Sequence, residues 1–275
     1  PIRVLEWIHN SGITGPGRIV YGLAKYMDKR EFSLDVCCPP KGYLPRELEK
    51  IGIRVVPFAA ENFLHLRSYH VLHIHSGQLN AQGRICGRFL GLPAVIYTEH
   101  LMGDDHSWIK NKAELFMHLL LHRVSNACVD RVIAVSDAVK RSYIKRQNIS
   151  PDEITTIYNG VDIDEIKACP PDLKKIRLQY GLTCDAPLVG IIGRLVPEKG
   201  HEDFILAAHE VVKINTRVKF LIIGEGGERP HLEALAKNLG LGDHLIFTGF
   251  QENILEVIDA CDVIVQPSLD KRESF

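Results

Sequence analysis

Gly193-Arg194-Leu195-Val196-Pro197-Glu198-Lys199-Gly200 follows directly on the apolar run Pro187-Leu188-Val189-Gly190-Ile191-Ile192. The run is predicted to be a buried parallel strand, and His201 to Ile214 behind it has helical periodicity. A strand, a glycine-bounded loop and a helix form the α/β unit that turns backbone N–H groups toward an anion. The loop also carries two cations, Arg194 and Lys199, on either side of Pro197. An arginine fork and a mobile lysine charge together suit a diphosphate. The alternative is a basic loop that simply faces solvent.

Working outward, strand and helix patterns alternate along the whole chain, which implies parallel sheets flanked by helices. In the first half the predicted strands are 2–8, 33–38, 53–57, 71–75, 94–98, 131–135 and 154–158. Helices are predicted over 16–27, 45–51, 79–90, 110–129 and 137–146. Asn159-Gly160 turns the chain, and 163–173, with Pro170-Pro171, is the expected crossing into a second lobe. There the strands 188–192, 219–223, 245–247 and 262–266 alternate with helices 201–214, 229–239 and 252–261. The expected organisation is an N-terminal Rossmann-like domain over 1–165 and a C-terminal one over 166–275. In such folds ligands sit at the carboxyl ends of strands, beside helix N-termini.

Composition narrows the function classes. The chain has 275 residues, 45% hydrophobic and 24% charged, enough for two cores. A net charge of −1 argues against a dedicated nucleic-acid binder. No apolar run approaches the roughly 18 residues that cross a bilayer. The chain opens on strand-like Ile2–Ile8 rather than a basic and apolar leader, so no signal peptide is expected. The seven cysteines lack framework spacing and fit reduced thiols in the cytoplasm, with Cys86, Cys128 and Cys261 as small buried hydrophobes.

Several further motifs stand in order along the chain: Gly15-Pro16-Gly17, His73-Ile74-His75-Ser76, Tyr97-Thr98-Glu99-His100, Ile133-Ala134-Val135-Ser136 and Asn159-Gly160-Val161-Asp162. Behind the Arg194/Lys199 loop come Gly224-Glu225-Gly226, Phe247-Thr248-Gly249-Phe250, and Pro267-Ser268 leading to Glu273-Ser274-Phe275. Together these resemble the retaining glycosyltransferases of GT-B fold in family GT4, glycosyl transferases group 1. The resemblance implies two Rossmann-like lobes whose parallel sheets face a cleft. It implies transfer of a sugar from a UDP-, GDP- or ADP-sugar to a glycan, lipid-linked or small-molecule acceptor, as in polysaccharide biosynthesis. It also implies that the motif at Glu273 continues to a second glutamate and further elements. The sequence ends at Phe275, so the C-terminal lobe is expected to be incomplete and a protein ending there to bind donor weakly. A non-catalytic nucleotide-sugar-binding module and a sugar-nucleotide epimerase of the same build are the rival readings.

Individual residues then take expected roles. Arg194 and Lys199 stabilise charge developing on the leaving diphosphate. By resemblance, His100 stands at the reaction centre beside the transferred sugar, and Glu273 holds donor hydroxyls, with Ser274 and Phe275 N–H groups nearby. Gly249, Phe250 and Gln251 hold the base, and the Gly15–Gly17 loop lies over phosphate or acceptor. The alternative for that loop is a plain helix start with Pro16 in its first turn. No metal or other cofactor is expected, because protein cations occupy the leaving-group site and Asp104-Asp105 lies off any strand end. His73 and His75 alternate on one strand face, but no acid or cysteine completes a metal site at ligand spacing, so they are expected to be sheet residues.

The stretch Trp108 to Arg146 is rich in Lys and Arg, and its helix has an apolar side with Leu115, Phe116, Leu119 and Leu120. It could rest on an anionic membrane, giving a peripheral location at the inner face. The favoured alternative is a packed helix with a solvated basic face.

Overall fold

The computed structural model describes all residues except 13, 59–63, 76–79, 103–110, 165–172, 184, 252 and 269–275. The chain divides into two compact units, one formed by Pro1–Gly160 and one starting at Val161. Each is an α/β layer structure in its own right.

The first unit holds strands β1 (Ile2–Trp7), β2 (Phe32–Cys37), β3 (Val55–Val56), β4 (Val71–His75), β5 (Ala94–Glu99), β6 (Arg131–Ala134) and β7 (Ile154–Thr156). They form one parallel sheet in the order β3-β2-β1-β4-β5-β6-β7. The described helices are α1 (Gly15–Tyr26), α2 (Tyr43–Lys50), α3 (Asn80–Phe89), α4 (Lys112–Asn126) and α5 (Asp137–Gln147). Apolar strand residues are buried on both sheet faces, as parallel sheets require. Leu5, Trp7, Leu72, Ile74, Val95 and Tyr97 pack on one side, and Ile8, Val36, Leu44 and Leu48 on the other. Thr14 and Ser136 cap α1 and α5, their side chains accepting from the N–H of Gly17 and Val139.

The second unit holds α6 (Leu173–Gln179), β8 (Leu188–Ile192), α7 (His201–Ile214), β9 (Lys219–Ile223), α8 (Arg229–Asn238), β10 (Leu245–Gly249), α9 (Ile254–Ala260) and β11 (Val263–Val265). Its parallel sheet runs β10-β9-β8-β11. Helix α6 was not expected from the sequence, which placed an interlobe crossing up to Leu173. Its buried Arg177 explains it: the guanidinium donates to the carbonyls of Ala186 and Ala260 and to Asp262. A seven-residue helix too short to persist alone is thereby fastened to the sheet.

In both units the strand order reverses once. The chain runs outward through β1, β2 and β3, then returns to lay β4 on the other side of β1. Likewise β11 returns beside β8. At such a reversal the flanking connections leave in opposite directions and open a crevice at the strands' carboxyl ends.

Candidate active site

In the first unit the reversal lies between β1 and β4. Glu6 stands opposite His73 there, and His75 opposite Thr98 of β5. Side chains two apart on a strand share a face, so Glu6, His73, His75, Thr98 and His100 point the same way from three adjacent strands. They form a continuous hydrogen-bonded cluster. Glu6 meets His73 Nδ1 at 3.1 Å and His75 Nε2 at 2.8 Å. The second nitrogen of His73 meets the Thr98 hydroxyl at 2.7 Å, and that of His75 meets His100 Nε2 at 3.0 Å. The His75 and His100 rings are nearly parallel, with centroids 5.2 Å apart.

Most of this is out of water: Glu6 and His75 are each 1% exposed and His100 6%, while the His73 side chain is 12% exposed. Burial, followed by the charges His75 and His73 would carry, pushes His100 down to about 3. Burial likewise lowers His75. Burial alone would raise the Glu6 carboxyl, but the His73 and His75 donors and charges outweigh it and hold it at about 2. At neutral pH this is one carboxylate, Glu6, beside the neutral imidazoles of His75 and His100. The backbone at His100 is fixed by its neighbour: buried Glu99 accepts from the Leu101 N–H at 3.0 Å and from the Tyr97 hydroxyl at 3.2 Å, with Arg146 3.7 Å away.

The expectation that no acid accompanies His73 and His75 is corrected. Glu6, on a different strand, brings a third donor atom, and the three lie within 4.8 Å of one another. Two imidazoles and a carboxylate are a donor set that a divalent cation accepts. Here the same atoms face one another at hydrogen-bond lengths.

In the second unit the loop after β8 is built mainly from backbone. Gly193 N–H donates to the Ile223 carbonyl, Leu195 N–H to Glu225, and Glu228 N–H to Leu195, tying the loop to the connection after β9. Leu195 is fully buried as its anchor. At Gly224, φ is +139° and a Cβ would overlap the Gly193 carbonyl oxygen, so only glycine lets the two loops touch. A short 3-10 turn at Pro197–Lys199 leads through Gly200 into α7, whose first turn has no side-chain cap. Those N–H groups and the helix dipole favour an anion.

Arg194, 72% exposed, has a loose 3.8 Å pairing with Glu198. The Lys199 stem runs over Gly193, with His201 beside it. His201 is buried, finds no hydrogen-bond partner for either ring nitrogen among the described residues, and is pushed down to about 4 by burial and the Lys199 charge. Sequence reasoning missed His201; its place directly after the loop was the available signal. The Gly249 carbonyl accepts from Gly224 N–H, Phe250 is half-exposed, and Gln251 donates to the Thr248 carbonyl.

Other expectations fare differently. Gly17 is buried, and a Cβ there would meet the Gly12 carbonyl at 2.9 Å, which gives it a packing role, while Gly15 is exposed. Glu273, Ser274, Phe275, Ser76, Asp104, Asp105 and Trp108 lie outside the described residues. The favoured packed reading of α4 is corrected: Phe116, Met117, Leu120 and Val124 are exposed along one side. Cys37 and Cys38 are the buried thiols, whereas Cys86, Cys128 and Cys261 are only half-buried. An open hollow lined by Arg229, Lys237, Asp243 and Phe247 holds none of the expected residues, so shape alone does not mark the site.

Residues 13–165 match the model of Glycosyltransferase Family 4, and residues 173–275 that of Glycosyl transferases group 1. The chain belongs to glycosyltransferase family 4. Among family relatives, it is 26% identical over 278 residues to an Escherichia coli enzyme named UDP-Gal:alpha-D-GlcNAc-diphosphoundecaprenol alpha-1,3-galactosyltransferase. That alignment covers 94% of this chain and 71% of the relative. A 2-deoxystreptamine glucosyltransferase of Streptomyces kanamyceticus is 26% identical over 208 residues, covering 72% of this chain and 54% of the relative. Beyond the first, the chain thus spans about half the length of several curated relatives. Anabaena HepE, solved with UDP and glucose, has the same fold: TM-score 0.77, 22% identity, 98% of this chain and 74% of that one. The family's GT-B architecture accounts for the two parallel sheets. No helix among the described residues is long and apolar enough to cross a membrane.

Proposed function

We propose that this protein is a retaining, metal-independent glycosyltransferase that takes a sugar from a nucleoside-diphosphate donor. The observation that carries the reading is the loop at the β8 reversal, which bears Arg194 and Lys199 directly before the uncapped start of α7. Cations fixed there oppose the charge that builds on the leaving diphosphate as the anomeric bond breaks. His100 attends the transferred sugar from the first unit, and the leaving phosphate itself takes the acceptor proton, so no glycosidase-like carboxylate pair is needed. Gly249, Phe250 and Gln251 hold the base, and Glu273 with Ser274 and Phe275 the donor hydroxyls. Gly15, at the exposed start of α1, is left to face phosphate or acceptor.

UDP, the nucleotide in the HepE complexes, is the first donor nucleotide to try. The E. coli relative's name makes lipid-linked acceptors the first acceptors to try. The exposed stripe Phe116, Met117, Leu120 and Val124 on α4 is where such an acceptor's membrane would be met, which vesicle co-sedimentation tests.

The test of function is nucleotide release from a panel of sugar nucleotides, with and without acceptor and EDTA, and the anomeric configuration of the product. Acceptor-dependent release that survives EDTA, with the donor's configuration kept, is expected. Binding without release would make the protein a nucleotide-sugar-binding module. Restoration of EDTA-treated protein by Mn²⁺ alone would refute metal independence.

A further inference from the structure

The buried cluster at the β1–β4 reversal has a consequence for which atom of His100 carries its proton. An ionised carboxylate only accepts hydrogen bonds. Glu6 therefore requires a proton on His73 Nδ1 and on His75 Nε2, the atoms that face it at 3.1 and 2.8 Å. A neutral imidazole has one N–H, so His75 Nδ1 is bare and accepts. Its partner at 3.0 Å is His100 Nε2, which must then donate. His73 Nε2 and the Thr98 hydroxyl meet at 2.7 Å. One carboxylate on the first strand thus dictates the proton positions on the His75 and His100 rings.

We propose that Glu6, acting through His75, holds His100 in the neutral Nε2–H tautomer, so that any group reaching His100 Nδ1, a substrate hydroxyl included, is met by a hydrogen-bond acceptor and not by a donor. Glu6 and His75 are positioning residues; neither needs to touch the substrate. The substrate consequence rests on the proposed placement of His100 at the reaction centre, whereas the tautomer rests on the cluster alone. Partners of this kind orient an imidazole and fix its tautomer in many sites. The cluster has the means to do so rigidly, because Glu6, His75 and His100 are buried and borne by adjacent strands of one sheet.

The test is a histidine ¹⁵N–¹³C correlation spectrum of the intact protein without ligand, compared with Glu6→Gln, His75→Asn and His75→Leu. In the unsubstituted protein His100 should show a protonated Nε2 and a bare Nδ1. Glutamine at position 6 can donate as well as accept, so Glu6→Gln should give His100 mixed tautomers. Its kcat should fall roughly 10- to 100-fold, with little change in donor KM. Asparagine at position 75 keeps an acceptor near the original Nδ1 and should preserve the His100 tautomer, which leucine cannot. Melting curves identify any variant that fails to fold, and the unsubstituted spectrum stands without them.

A proton on His100 Nδ1, or a Glu6→Gln spectrum unchanged at His100, overturns the proposal. So does stoichiometric binding of Co²⁺ with visible d–d bands that vanish in Glu6→Gln, since a metal ion would then replace these hydrogen bonds. A tautomer that shifts in Glu6→Gln with kcat untouched supports the wiring and instead refutes the reaction-centre role of His100.

Discussion

The two strand-order reversals hold different kinds of site. In the first unit polar side chains are buried and wired to one another: Glu6, His73, His75 and His100 leave little to chance. In the second the backbone is fixed but Arg194 is not; it remains 72% exposed with only a loose partner. The difference follows from the job each is proposed to do. Orienting one imidazole calls for short hydrogen bonds in a low dielectric. A highly charged, strongly hydrated diphosphate has to be received from water, and the solvated Arg194 side chain can close on it without first breaking a strong internal pair. The wired site should therefore report on stability, and the solvated one on activity.

The strongest challenge to this contrast is Glu6→Ala. It strips two buried N–H donors of their acceptor and should cost about 3–5 kcal/mol of stability, read as a lowered urea midpoint. A loss below about 1 kcal/mol would mean the cluster is loosely held. Next come Arg194→Ala and Lys199→Ala. Each should raise the transfer barrier by about 2–4 kcal/mol while leaving the urea midpoint within about 0.5 kcal/mol of the parent. A stability loss matching the activity loss would erase the distinction.

Acid sharpens it further. An unfolded histidine takes its proton near 6.5, but folded His100 takes it only near 3. The stability from keeping it neutral is whole above pH 6.5 and drains away as pH falls toward 3, at about 1.4 kcal/mol per pH unit. His75 adds to this in the first unit, while in the second His201 contributes over 6.5 to about 4. Trp7 fluorescence should report first-unit unfolding ahead of the second as pH is lowered, and the reverse order would contradict the wiring. The smallest effect belongs to Glu198→Ala. Its surface pairing with Arg194 should be worth under about 0.5 kcal/mol, and a melting curve shifted by more would show the loop to be pre-organised by charge.

Much of this was legible in the chain. The apolar runs 188–192 and 219–223 became strands with those limits, because strands buried on both faces announce themselves as continuous hydrophobic runs. Arg194 and Lys199 sit in the expected loop after β8. Glu6 was not found, since spacing along the chain cannot show a partner 67 residues away that only strand register brings opposite. A carboxylate inside the apolar strand Ile2–Ile8 was nonetheless a signal: a buried charge there demands a partner. Helix α6 was hidden because its stability comes from Arg177 reaching residues up to 85 positions distant. The α4 stripe was misjudged because periodicity reports an apolar face but not what covers it.

The position of Glu6 also bears on how the molecule comes into being. The carboxylate of Glu6 is made long before His73, His75 and His100, and its bonds span 67 and 69 residues. Strand β1 must therefore wait, unpaired on one side, until β4 has been made. Long-range parallel pairing of this kind closes slowly and leaves an open strand edge in the meantime. During synthesis the first unit is thus open to misassociation along β1 until Val71–His75 exist, and the histidine cluster locks only after β5 and His100 have joined them.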